Sequence, residues 1–249
     1  MLRSRKTRKA AIMPNRIRSI GKPLPVPIAA LLRQQIGVQR SGHKPYPAAS
    51  QGLSAGLPAC IRRPAMILLR HGQSEFNLHF GASRRDPGIE DPLLTELGHL
   101  QAMEAATHFG RERIARIMSS PYTRALQTSM PIAKALGLPV VINPLVRERY
   151  AFACDIGRPR TELQLAWPDI DFSTIDEVWW PPIEELADAV VGRAALFRAE
   201  MAALPDWADT LVVSHWGFIL SLTGQKLTNG QWMRYDPRDA PPAEIAWRA

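Results

Sequence analysis

Apolar residues along the chain gather into short continuous runs separated by longer stretches of mixed polarity. AMILLR (65–70) has the pattern of a strand buried on both faces of a parallel sheet. IARIMSS (114–120), LPVVIN (138–143) and DTLVVSH (209–215) repeat that pattern and predict three more strands. Between them the period lengthens. DPLLTELGHLQAMEAATHFG (91–110) predicts a loop and then a helix. Thr95 suits its N-cap, Ala102, Ala105, Ala106 and Phe109 share one face, and Gly110 suits its C-cap. Ser120 is expected to cap a second helix that has Pro121 in its first turn, runs to Gly137 and is weakened or kinked at Pro131. PIEELADAVVGRAALFRAEMAAL (182–204) is amphipathic, with Leu186, Val190, Ala194, Phe197 and Met201 at spacings of three and four. WGFILSLTGQ (216–225) predicts a further helix and PAEIAWRA (242–249) an edge strand. Strands alternating with helices predict an α/β fold, a three-layer α/β/α sandwich around a mostly parallel central sheet.

Charge changes the picture at one end only. The 249 residues carry a formal net charge of +8, but residues 1–63 hold 13 of the 31 Lys and Arg and no acid. Beyond them 18 basic residues face 23 acidic ones, a net of −5, so the basicity does not belong to the folded part. The leading stretch is rich in Pro and Gly and has no period; it is expected to be a disordered basic tail over 1–64, with the domain at 65–249. An organellar leader and a nucleic-acid arm both fit such a tail. The preferred reading is that Met66 is the true initiator, because MILLRHG opens a domain with nothing missing. Nucleic acid is thus not an expected partner of the domain. No stretch of about 18 apolar residues occurs, so no membrane association is expected. Two cysteines, Cys60 and Cys154, suggest neither a disulfide framework nor a zinc site, and a reducing, cytoplasmic location is the expectation.

In open α/β sheets ligands sit beyond the carboxyl ends of the strands. Arg70-His71, Ser119-Ser120 and Ser214-His215 occupy such ends. A competing nucleophile stands in CDIGRPRT (154–161), which fits Cys-x-x-Gly-x-x-Arg, the loop in which a thiolate attacks phosphorus. Pro159 would delete one N–H from that cradle, and Asp155 would face an incoming dianion. His71 is therefore the preferred nucleophile. Arg149, Arg158 and Arg160 either reach a second anionic group or are ordinary surface arginines.

LLRHGQSEFN (68–77), DPLLTELGHLQA (91–102), SSPYTRALQT (119–128), RER (147–149) and VVSHWGF (212–218) stand in one order along the chain. Together they resemble the histidine phosphatase, or phosphoglycerate mutase-like, superfamily. The resemblance implies that His71 becomes phosphohistidine, that Arg70 and Arg124 clamp the phosphoryl oxygens, and that His215 completes the pocket. It implies Glu148 as proton donor and acceptor, Ser74 and Asn77 at the phosphate site, and neither cofactor nor metal. The chemistry is consistent with the residue types. An imidazole of pKa about 6.5 is a largely neutral nucleophile near pH 7, and guanidiniums offer forked donors that keep their charge. Family members often carry Gly after the second histidine; here Trp216 stands there, and its indole is expected to lid the pocket.

Two reactions share the first step: hydrolysis and mutase-type transfer to another hydroxyl. LAWPDIDFSTIDEVWWPP (165–182) is acidic and aromatic and would repel a small polyanion. Hydrolysis of a small phosphorylated metabolite is the preferred expectation. Trp167, Trp179 and Trp180 either face an apolar or ring-bearing leaving group or, the preferred reading, pack that segment onto the domain.

Overall fold

A computed structural model describes residues 64–247; the expected tail at 1–63 lies outside the described residues, as do 248–249. Among the described residues five strands form one sheet in the order β3-β2-β4-β1-β5. Strands β1 (Met66–Arg70), β2 (Arg116–Ser119), β3 (Val140–Ile142) and β4 (Thr210–Ser214) are parallel, and β5 (Trp232–Tyr235) runs antiparallel to β1. The sheet is mostly parallel, as its continuous apolar runs predict.

Those runs are apolar throughout because each strand is covered twice. Met66 and Leu68 of β1, with Met118 and Val212, face helices α5 (Ala187–Ala203) and α6 (Trp216–Thr223). Ile67 and Leu69, with Ile117, Leu211 and Val213, face α2 (Glu96–Phe109) and α3 (Thr123–Leu136). Helices therefore cover both faces, and every β1 apolar side chain is buried, each contributing about 1.5–3 kcal/mol.

The elements depart from the sequence expectation where capping or pairing is not local. Two helices, α1 (Glu75–Ser83) and α4 (Arg160–Ala166), stand where none was expected. The α1 sequence EFNLHFGAS has no apolar face turned to the core and is started by a reciprocal Ser74–Asn77 capping box. Ser120 does not cap α3. Tyr122 stands at the N-cap, and the orphan Thr123 N–H donates instead to Asp91 Oδ1, 2.9 Å away, from a distant loop. Helix α3 continues through Pro131. Helix α5 begins at residue 187 rather than 182, because the preceding turn is held by Glu185, whose carboxylate accepts from Arg193 at 2.6 and 3.0 Å. The antiparallel edge strand is Trp232–Tyr235; the stretch 242–247 forms no strand. Trp179 is buried in the α3 face of the core, and Trp167 and Trp180 pack against it, as expected.

Candidate active site

Strand register assembles the site. Arg70 pairs with Ser214 across β1–β4, so His71 and His215, one residue further, leave the sheet side by side. Their rings lie 4.9 Å apart. Ser119 pairs with Val213, which brings Ser120 beside them; His215 Nε2 lies 2.8 Å from Ser120 Oγ.

The turn after β1 is tightly bound. His71 N–H donates to Ser214 O at 3.0 Å, and Gly72 N–H to Thr128 Oγ1 at 3.1 Å. A Cβ on Gly72 would stand 2.4 Å from Gly98 O, so only glycine lets this turn approach α2. Asn229 Nδ2 donates to His71 O at 3.2 Å and to Asn77 Oδ1 at 2.9 Å, tying the turn to the start of α1. His71 Nδ1 is 2.7 Å from Gly72 O. A carbonyl oxygen only accepts, so Nδ1 carries the proton and Nε2 presents its lone pair. Burial pushes the His71 imidazole well below its ordinary 6.5, and the Arg124 and Arg70 charges push it the same way. The ring is neutral at physiological pH.

Arg70 donates to Leu227 O at 2.8 Å, while its buried Nε has no partner among the described residues. Burial lowers its pKa to about 10. Arg124, on the first turn of α3, is buried. It donates to Cys154 O at 2.8 Å and Asp155 Oδ1 at 3.2 Å, and it lies 4.3 Å from the Tyr122 ring centroid. Asp155 is itself fixed by the Ala151 and Phe152 N–H groups at 3.0 and 3.1 Å.

Glu148 completes the group. Its Oε1 accepts from the Arg149 and Gly217 N–H groups, both at 2.8 Å, which leaves Oε2 free to hold or give up a proton. Burial, and then the Asp155 charge, raise its carboxyl above the ordinary value of 4.5. The backbone that carries it is held from α5: Arg193 donates to Leu145 O at 2.6 Å, Arg147 O at 2.8 Å and Glu148 O at 3.4 Å. A Cβ on Gly217 would reach within 2.6 Å of Glu148 Oε1.

These groups border one cavity of about 850 Å³. Arg70, His71, Ser74, Asn77, Arg124, Glu148, Arg149 and Trp216 all line it; His215 is fully buried behind His71 and does not. Buried His215 Nδ1 has no partner among the described residues. Ser74 Oγ donates to Asn77 Oδ1 at 2.9 Å, so the Asn77 oxygen is occupied and its Nδ2 makes no hydrogen bond to the described residues. No group of three or more His, Cys, Asp or Glu side chains among the described residues is placed to hold a metal ion.

The sequence model of the histidine phosphatase superfamily (branch 1) matches residues 66–245. The chain belongs to that superfamily. It is 27% identical over 218 residues to the glucosyl-3-phosphoglycerate phosphatase of Mycobacterium tuberculosis, covering 76% of this chain and 93% of that one. A probable phosphoglycerate mutase of Photorhabdus laumondii is 40% identical over 83 residues, 33% of this chain and 37% of the other. The solved structure of the mycobacterial glucosyl-3-phosphoglycerate phosphatase with VO3 superposes with a TM-score of 0.50 at 25% identity, over 69% of this chain and 90% of that one.

In CDIGRPRT the motif cysteine borders the cavity and the motif arginine, Arg160, does not. Residues 153–155 form a single 3-10 turn. The Cys154 thiol donates to Asp155 Oδ1 at 3.4 Å, and burial raises its pKa well above the ordinary 9.0. Arg158 pairs with Asp91 at 3.2 Å and Arg160 with Glu177 at 3.6 Å; neither lines the cavity. Arg149 does line it, paired with Glu184 at 3.2 Å. Asn229, Thr128, Arg193 and Gly217 were not singled out by sequence reasoning, and Asp155 was read only as a charge that would repel phosphate, not as the group that holds Arg124. Each acts through a contact distant in the chain or through backbone geometry; of these residues only Asn229 stood outside every segment already of interest.

Proposed function

We propose that this phosphatase hydrolyses a phosphomonoester through a phosphohistidine on His71. The observation that carries the reading is the His71 Nδ1 contact to Gly72 O, which frees a neutral Nε2 beside two guanidiniums. Nε2 attacks phosphorus as the ester P–O bond breaks, and Glu148 gives its proton to the leaving oxygen. Water then attacks the phosphohistidine and loses a proton to the Glu148 carboxylate. The P–N bond electrons return to Nε2 and phosphate departs.

Arg70 and Arg124 meet the charge on the equatorial oxygens. The unpartnered Arg70 Nε and the open Asn77 Nδ2, both on residues that line the cavity, offer further contacts to the phosphoryl group. An unmet buried polar atom costs about 1–3 kcal/mol, which a bound phosphate would relieve. No step is routed through a metal. Water is preferred to a second sugar-acid hydroxyl as acceptor because the cavity beyond the phosphate end is largely aromatic.

The test is hydrolysis of a generic aryl phosphate by the full chain, with and without a chelator. His71→Ala is expected to be inactive and Cys154→Ser active. An active His71→Ala enzyme would end the proposal.

A further inference from the structure

We infer that the ester taken by this site bears a flat apolar ring on the phosphorylated oxygen, with a neutral or anionic far end. The inference rests on the proposed reaction and assigns its leaving group.

The cavity is far larger than a phosphate group requires. Its outer wall holds three phenylalanines. Phe76 and Phe80 stack with centroids 5.2 Å apart at 14°, and Phe152 leans on both at 5.4 and 5.2 Å. None of the three belongs to either hydrophobic core of the sheet. Phe152 is 40% exposed. Phe76 is buried beneath the cluster, and Phe80 and Phe152 present its apolar ring surface to the cavity.

Its position relative to the phosphate follows from α1. The helix starts at Ser74 and Asn77, beside the His71 turn. Phe76 and Phe80 share one face of α1, about 6 Å apart along the axis, and Arg84 is its left-handed C-cap. A ring on the ester oxygen therefore meets Phe76 and Phe80 within one or two turns of the phosphate. Arg84 stands at the far end, its guanidinium carbon 6.0 Å from the Phe80 centroid. It forms no ion pair among the described residues, so this end of the cavity disfavours a cation. Also lining the cavity, Arg149 is neutralised by Glu184 and lies 4.9 Å from the Trp247 ring. A sugar leaving group would need side chains to bind its hydroxyls. Of the outer polar heads, Arg149 and Glu184 are bound to each other instead, and Arg84 is left for the far end of the ligand.

Two measurements on the full chain test this. The first is kcat/KM for naphthylmethyl phosphate, glycerol phosphate and glucose phosphate, three alkyl esters of comparable leaving-group basicity. The ring ester is expected to lead by about tenfold or more, the order given by burying one aromatic side chain. Phe152→Ala, at an exposed position, is expected to cut that preference about tenfold. Arg84→Glu is expected to penalise a carboxyphenyl phosphate several-fold more than phenyl phosphate. Equal turnover of all three esters, or a Phe152→Ala loss shared equally among them, overturns the inference.

The second measurement is binding of naphthylphosphonate and methylphosphonate, read by tryptophan fluorescence. Tighter naphthylphosphonate binding that Phe152→Ala abolishes upholds the inference even if no ester is cleaved, an outcome that would remove the proposed reaction alone. Equal binding of the two, with His71-dependent hydrolysis intact, removes the leaving-group assignment alone.

Discussion

His71 and Cys154 border the same cavity, and burial acts on both in the same sense. It favours the neutral form of each. For an imidazole the neutral form is the nucleophile; for a thiol it is the inert form. The two turns add opposite hydrogen bonds to this shared effect. The 70–72 turn accepts a hydrogen bond from Nδ1–H and leaves Nε2 bare. The 153–155 turn points the thiol at Asp155, which accepts a hydrogen bond from it and adds a negative charge beside it. Arg124 touches the second turn as well, yet there it serves to hold Asp155 and the Cys154 carbonyl. One cation near a thiol does not make a thiolate when burial and a carboxylate oppose it.

The largest expected effect is that of His71→Ala, a fall in kcat/KM of about 10³-fold or more, checked with any hydrolysed ester. Next comes Glu148→Gln, expected to lower kcat about 10²- to 10³-fold. It should also remove the alkaline side of the pH profile. In the native enzyme the acid side lies below 6.5, where His71 gains its proton, because its pKa is lowered. The alkaline side lies above 4.5, where Glu148 loses its proton, because its pKa is raised.

Asp155→Asn is expected to cost about tenfold, since it weakens the hold on Arg124. Because the Asp155 charge raises the Glu148 pKa, its loss should also move the alkaline side to lower pH. A profile that does not move would detach Asp155 from Glu148. Gly217→Ala is expected to lower kcat several-fold with little change in KM, because its Cβ displaces Glu148 Oε1. The smallest effect belongs to Cys154→Ser, within about twofold of native, since serine keeps a donor toward Asp155.

The two turns were also unequally legible in the sequence. His71 follows a short apolar strand and precedes a glycine, so its place at a strand end could be read from neighbours alone. The same held for Ser119-Ser120 and for Ser214-His215. The Cys154 turn has no such local frame; its conformation is set by Arg124, 30 residues earlier, and by the Asp155 side chain. Helix α1 was missed for a related reason. Its capping box uses Asn77 at N3 rather than the usual Glu or Gln, and its aromatic face turns to the cavity instead of the core. The edge strand at 232–235 is half-exposed and short, without the apolar run that marks the parallel strands. Pairing with β1 decides it, and no local pattern shows it.

The most direct test of the account is to quench the full chain during turnover and map the phosphoryl group by peptide mass spectrometry. The account predicts a phosphoryl group on the peptide containing His71, absent in His71→Ala and present in Cys154→Ser. A phosphoryl group on the peptide containing Cys154, with none on His71, would contradict it.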